Sequence, residues 1–445
     1  MKELRGVLFE QADQEQRAER ILEVFDAAFG ELIQADPAAF RVKFRKMAAS
    51  AFAFYRGTAC LYYADLDGAP NPFVDERTDR VWIHGDLHAE NFGTYLNADG
   101  RLVFNVNDFD EAYLGPFMWD VQRFAASLAL IGYAKALSDE LIGELVAAYA
   151  RSYRAQILML TDDPAGAQTA LTLSTATGPL LDVLHRARLQ TRVGLLDEQT
   201  VIDGYDRRFA LSGGAFALDD DTRKTVLEAF GRYLATTPET TRARPDTYEV
   251  KDVVGRRGVG IGSAGLPSYN LLIEGNTEAL ENDVILYMKQ GQTPAVSRHV
   301  TDPDVRTYFR HEGHRTVISQ RALQAHADPW LGYTDIGGVG QLVAEVSPYA
   351  NDLDWSALNE PDDIRNVVEY LARATATMHA VADEDSNGQS LVPFSTEHAI
   401  RAVVEPDEEG FVAHLVEFAH TYAARTREDH AIFVDLFRNG RITGL

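Results

Sequence analysis

Residues 84–91 read HGDLHAEN and residues 107–111 read NDFDE, so Asp86, Asn91 and Asp108 stand in short polar stretches between apolar ones. Magnesium is a hard ion that takes oxygen ligands, and proteins usually hold it with one or two groups plus substrate phosphates. An amide oxygen from Asn91 and a carboxylate from Asp108 meet that need without fully neutralising the ion. Asp86, near such a metal but not necessarily on it, can orient a hydroxyl and accept its proton. The plain alternative for either stretch is loop capping, because Asp and Asn hold turns through their own backbone.

Two further motifs bear on phosphate chemistry. GVGIGSAG sets Gly260, Gly262 and Gly265 in a G-x-G-x-x-G pattern, whose bare backbone can approach phosphates closely. Glycines in a flexible hairpin are the competing explanation. A dinucleotide fingerprint should open a helix, but LPSYNLLIEG follows here and reads as a returning strand. VILYMKQG then places Lys289 on an apolar strand, in a chain whose other lysines are only Lys2, Lys43, Lys46, Lys135, Lys224 and Lys251. Alone, Lys289 reads better as an edge-strand lysine with its stem on apolar surface. After a glycine loop and a hairpin, it stands where a kinase places its phosphate-binding lysine. Asp-x-x-x-x-Asn followed by an Asp across a hairpin likewise matches a kinase catalytic loop and metal-binding segment.

The elements that must position these residues follow from periodicity. Val81, Trp82 and Ile83 predict a strand before His84, and Leu102, Val103, Phe104 and Val106 predict another after the turn at Asn97–Gly100. Helical spacing of Ile21, Leu22, Phe25, Ala28, Phe29 and Leu32 predicts a helix over 13–33, and RVKFRKMAASAFAFYRG predicts a second ending at Gly57. Residues 117–160 read as helix, with Ser138 as an N-cap and Asp139 and Glu140 in the first turn. Helical patterns run on to about residue 236, interrupted at Ser212–Gly214, and TTPETTRARPD (236–246) reads as a linker. Strands follow, then a helix over 303–326, an apolar strand at 341–349, and a helix from Pro361 with Ile364, Val367, Val368, Leu371, Ala374 and Met378 on one face.

The glycine loop and lysine come after the Asp86 loop, the reverse of kinase order. Circular permutation repairs this if the ends open between the helix after Pro361 and the strand before His84; termini that lie close together at the surface allow such a change.

HGDLHAEN, NDFDE and GPFMWD together resemble the aminoglycoside and choline phosphotransferase branch of the kinase-like superfamily. KMAASAFAFYRG, HAENFG, NDFDEAYLGPFMWD, ILYMKQG and QRALQAHADPWLGY are similar to a bacterial family catalogued as domain of unknown function 2252. The resemblance implies an α+β, kinase-like two-lobed fold in permuted order, with a mostly helical large lobe and a small antiparallel-sheet lobe. Residues 1–80 would be a helical segment packed on the large lobe, and 81–245 would carry the catalytic loop and large lobe. Residues 246–349 would form the nucleotide-binding small lobe and hinge strand, and 350–445 would return to the large lobe. It implies Asp86 as base, Asn91 and Asp108 as metal ligands with Asp110 as a second carboxylate, and Asp120 as a buried brace for the loop. Lys289 would hold the α- and β-phosphates beneath Gly260, Gly262 and Gly265. Glu312 is a candidate acid partner for Lys289, with Gln320 in competition for that place. Arg56 has no counterpart in the kinase core and either reaches the site or caps its helix. The implied activity is ATP- and Mg²⁺-dependent phosphoryl transfer to a hydroxyl of a small-molecule acceptor. Transfer of phosphate or AMP to a protein, or nucleotide-binding regulation without catalysis, are the competing readings.

Composition bounds these readings. The 445 residues are enough for two or three cores, since single cores stop growing at roughly 250–300 residues. A net charge of −25 without a long basic run argues against a nucleic-acid partner. Cys60 is the single cysteine, which excludes an intrachain disulfide and a cysteine-built zinc site. The most apolar stretch, Phe124 to Ala134, is short of the about 20 residues a membrane helix needs. The N-terminal stretch MKELRGVLFEQADQEQRAER lacks an apolar signal core, so the expectation is a cytoplasmic protein with no membrane partner.

Overall fold

The described residues begin with four helices: α1 (Gln14–Ala35), α2 (Pro37–Met47), α3 (Ala51–Arg56) and α4 (Ala59–Leu66). They are seen in a computed structural model that describes residues 14–163, 166, 170–237, 245–257, 265–381 and 391–445. The stretch expected as one helix up to Gly57 is two, because Ser50 turns extended and accepts a hydrogen bond from the Ala53 N–H, starting α3 afresh. Asp36 and Pro37 start α2 in the same way.

The next four strands explain how the polar stretches meet. β1 (Val81–Ile83) pairs antiparallel with β4 (Tyr113–Gly115), and β2 (Phe92–Leu96) pairs with β3 (Leu102–Val106). Loop 84–91 joins β1 to β2, and loop 107–112 joins β3 to β4. Since Ile83 lies opposite Tyr113 and Phe92 opposite Val106, the two loops begin and end side by side. Two apolar strand pairs therefore hold the two polar loops together.

Helices α5 (Phe117–Ala134) and α6 (Asp139–Asp162) follow, separated where Ser138 caps α6. A short β5 (Leu171–Thr172) adds to β3, and then come α7 (Gly178–Leu189) and α8 (Arg192–Gln199). A hairpin of β6 (Thr200–Asp203) and β7 (Asp206–Phe209) interrupts what reads as continuous helix in the sequence, and β8 (Ala215–Phe216) leads to α9 (Asp220–Tyr233).

The second half builds a six-stranded antiparallel sheet. Its members are β8, β9 (Val250–Arg256), β10 (Ser268–Ile273), β11 (Val284–Gln290), β12 (Gly332–Ile336) and β13 (Val339–Glu345), in the order β12-β13-β11-β10-β9-β8. Between β11 and β12 lie α10 (Pro303–Tyr308) and α11 (Glu312–Leu323), so the helix expected over 303–326 is broken at the His311 cap. Three helices complete the chain: α12 (Pro361–His379), α13 (Thr396–Val404) and α14 (Glu408–Arg438).

Two main cores result. The larger is helical and joins Phe25, Phe44 and Phe54 of the first helices to Phe124 and Tyr149 of α5 and α6, Val367 and Leu371 of α12, and Phe418 and Phe433 of α14. The smaller lies under the sheet, where Val226, Phe230 and Tyr233 of α9 meet Val253, Leu271, Leu286 and Trp330. The sheet-containing unit thus recruits β8 and α9 and begins well before residue 246, the boundary expected from composition. An amphipathic helix declares an apolar face, but its sequence does not say which core that face will enter. The architecture is α+β. Among the described residues no helix is long and apolar enough to cross a membrane.

Candidate active site

A cleft of about 950 Å³ opens beside the paired loops, and Asp86, His88, Asp108, Asp110, Glu111 and Lys289 line it. Its other wall comes from α1 to α4 and includes Lys43 and Arg56. Residues from the first helices, the two loops and strand β11 thus face one space.

The HGD turn is held from beneath. Asp120, fully buried on α5, accepts the backbone N–H of His84 at 2.6 Å and that of Gly85 at 3.0 Å. Tyr63 donates its hydroxyl to the Gly85 carbonyl at 2.5 Å. Gly85 has φ +80°, and a Cβ there would stand 2.1 Å from the Glu111 carbonyl, so no other residue fits between His84 and Asp86. His84 donates through Nε2 to the Asn107 carbonyl at 2.8 Å, tying one loop to the other, and its Nδ1 accepts the Asp86 N–H. The Asn91 amide donates to the Asp86 carbonyl at 2.8 Å. That orientation leaves the Asn91 side-chain oxygen without a hydrogen bond among the described residues.

Asp86 is gripped at one oxygen only. The fully buried Arg123 guanidinium brings Nε to 2.7 Å and a terminal nitrogen to 2.6 Å of Oδ1. Oδ2 carries no hydrogen bond among the described residues, with His88 Nε2 at 3.9 Å, beyond hydrogen-bond range. Burial raises the Asp86 carboxyl above the ordinary carboxylate range, and Arg123 opposes that shift. His88 is pushed well below the usual imidazole range by burial and by Arg56 and Arg123, and so is neutral. Burial and the nearby Asp86 push Glu111 up to about 7, while its Oε2 accepts the Ala295 N–H at 2.6 Å.

Across the loops, Lys289 Nζ meets Asp110 Oδ2 at 2.8 Å. Burial works against its charge, but Asp110, Tyr287 and Asp108 outweigh it and raise the lysine above its usual range. Asp108 holds a left-handed backbone, φ 60°, unusual for a residue with a side chain, and it stands open to the cleft. The surrounding protein and Asp110 raise its carboxyl, and Lys289 opposes them.

Not every expected residue lands as the sequence suggested. Glu312 pairs with Arg315 one turn along α11 at 2.8 Å, not with Lys289, whose acid partner is Asp110. Gln320 donates to Gln324 within the same helix. Arg315 still links α11 to the site, donating to the carbonyls of Asp110, Ala112 and Gln292. Arg56 does reach the cleft, where it pairs with Glu90. Gly260 and Gly262 lie outside the described residues; Gly265, at φ +79°, comes close to Asp36 and Phe40 at the start of α2. Sequence reasoning missed Arg123, Glu111 and Lys43. For Arg123 a signal existed: a lone cation three residues after Asp120, in a helix otherwise nearly all apolar, marks a second polar contact on the same face.

The profile of a bacterial family, described as "Uncharacterized protein conserved in bacteria (DUF2252)", matches residues 35–436. The chain belongs to the DUF2252 family. No curated protein and no solved structure matches it. The match spans both loops, β11 and the part of the helical wall that carries Lys43 and Arg56, while the stretch of α1 that also lines the cleft lies before the matched region.

Proposed function

We propose that this chain is an ATP- and Mg²⁺-dependent phosphotransferase of permuted kinase-like architecture, acting on a hydroxyl of a small-molecule acceptor. The observation that carries the reading is the convergence of Asp86, Asp108, Asp110 and Lys289, from three separated segments, on one cleft. The permuted order also has spatial support. His379, the last residue of α12, stands 3.3 Å from the Asp120 oxygen that accepts the His84 N–H after β1. The two segments that the permutation would reconnect therefore meet on one carboxylate.

Each group has a role in the transfer. Lys289, kept charged by Asp110, is the phosphate anchor. The acceptor hydroxyl lies against Asp86, whose Oδ2 takes the proton as the new O–P bond forms and the bond from the γ-phosphorus to the ADP oxygen breaks. Arg123 fixes the carboxylate through its other oxygen, so the base is oriented without being blocked. A carboxyl raised by burial is also a stronger base than an exposed one.

The donor set fits Mg²⁺. Asn91 has its amide nitrogen engaged and its oxygen unpartnered, and Asp108 is without an ion pair among the described residues. Asp110 is the further carboxylate. Among the described residues no group of three or more His, Cys, Asp or Glu is arranged to hold a metal by itself, as befits an ion that arrives with nucleotide phosphates. Bound there, the ion would neutralise charge on the transferring phosphoryl group.

Asp86→Asn tests the reading. It preserves shape and removes the proton acceptor, so ATP·Mg²⁺ affinity should stay near normal while turnover falls by about 10²–10⁴-fold. The assay is release of labelled phosphate from ATP, with water in place of the acceptor. Binding without turnover in the wild type, with any acceptor supplied, supports a nucleotide-binding regulator instead.

A further inference from the structure

The cleft has a further lysine that phosphoryl transfer as described does not use. Lys43, on α2, lines the cleft and is only 6% exposed. Its described contacts are ring faces: Nζ lies 4.3 Å from the centroid of Phe29 and 5.5 Å from that of Phe40. No carboxylate or other hydrogen-bond acceptor is paired with it among the described residues.

That sets Lys43 apart from the other buried cations. Arg17 is clasped by Asp65 and Asp429, Arg123 by Asp86, and Lys251 by Asp206, Glu274 and Asp283. An ammonium buried without a paired anion is unfavourable: burial lowers the Lys43 pKa, and Cys60, Glu111 and Asp86, none of them paired with it, oppose that shift without overcoming it. Aromatic faces cover one side of such a group but accept none of its N–H bonds as a carboxylate would. The cost has a purpose if the missing anion arrives with a ligand. Arg298 lines the same cleft, also without an ion pair among the described residues.

We infer that the wall built by the N-terminal helices is the acceptor subsite, and that Lys43, supported by Arg298, anchors an anionic group on the acceptor. The substrate class is then a hydroxylated small molecule bearing a carboxylate or a phosphate, not a neutral polyol or an amino sugar. The inference rests on the phosphotransferase reading, which gives the nucleotide phosphates to Lys289 and leaves Lys43 for the other substrate.

The experiment measures binding to wild type, Lys43→Met and Lys43→Arg at saturating ADP·Mg²⁺. The probes are gluconate, glycerol 3-phosphate, glucose and glucosamine. Gluconate and glycerol 3-phosphate separate the two sources of negative charge, and the other two are the neutral and cationic controls. At least one anionic probe should bind more tightly than both controls. Lys43→Met should weaken it by about 10- to 100-fold, the effect of losing a hydrogen bond to a charged group, and Lys43→Arg should retain much of it. Lys43→Met should leave ATP·Mg²⁺ affinity unchanged and melt, ligand-free, no lower than wild type, because it removes an unpaired buried charge and keeps the stem on the rings. If Lys43→Met does not fold, Arg298→Gln, at an exposed position, should still weaken the anionic probe. Preference for glucose or glucosamine, no binding of either anion, or anion binding untouched by the substitutions overturns the inference. So does loss of ATP·Mg²⁺ affinity in Lys43→Met, which would move the lysine to the nucleotide. Failure of ATP·Mg²⁺ to bind wild type would instead overturn the phosphotransferase reading, a result scored separately from the response to the anions.

Discussion

Glu111 sits between Asp86 and the Ala295 backbone, and its carboxyl, ordinarily near 4.5, is raised to about 7 by burial and by Asp86. The native state therefore favours the protonated form. Below the unfolded value both states are protonated and nothing is lost. As pH climbs from there through 7, the folded protein is progressively destabilised relative to the unfolded chain, which ionises freely. Glu111→Gln keeps an acceptor for the Ala295 N–H and removes the titration. Its stability relative to wild type should rise from near zero at pH 4.5 to a plateau above pH 7, on the order of 1–3 kcal/mol. Urea denaturation of both proteins at pH 5 and pH 8 checks this, and a difference constant with pH contradicts it. Asp86, Asn91 and Asp108 were legible at this scale because their spacing within two short loops is local. The acid partner of Lys289 was not. Asp110 reaches it only through the pairing of distant segments, while Glu312 had Arg315 within one helical turn, and the local partner won.

Helix α5 works as a platform more than as core filler. Asp120 and Arg123 project from it toward the HGD turn, one holding the backbone and the other orienting the Asp86 carboxylate. Asp120→Asn keeps the volume but turns an N–H₂ group toward one of the two backbone donors, leaving a buried N–H without an acceptor. The expected loss is about 2–4 kcal/mol of stability, read from the denaturation midpoint, with turnover falling further than ATP·Mg²⁺ affinity as the loop loosens. Unchanged stability would contradict the bracing role. Elements with strong periodicity and caps could be read directly: α12 begins at Pro361 and buries Ile364, Val367, Val368, Leu371 and Met378 as its pattern implied, and Ser138 caps α6. The β6–β7 hairpin was hidden because Val201 and Ile202 are exposed on it, so no buried face left an alternating pattern to find. The break between α2 and α3 was hidden because Ala48 and Ala49 suit a helix as well as a turn, and only the Ser50 cap decides it.

The whole molecule sets a helical core against a sheet core, with the cleft where loops from the first face a strand from the second. That the small unit is an antiparallel sheet followed from strand texture; that α9 joins it did not, because an amphipathic helix suits either core. The ends of the described chain meet as well: Arg441 donates to Glu15 at 2.8 Å, so α1 and the segment after α14 close on one another. In the proposed function, ATP·Mg²⁺ is clasped between the two units, with the base on one and the phosphate anchor on the other. Amide hydrogen exchange with and without ATP·Mg²⁺ tests it most directly. Exchange should slow in β9 to β11 and, at the same nucleotide concentration, in loops 84–91 and 107–112. Protection confined to one unit, or none in either at a concentration where ATP·Mg²⁺ is bound, would contradict it.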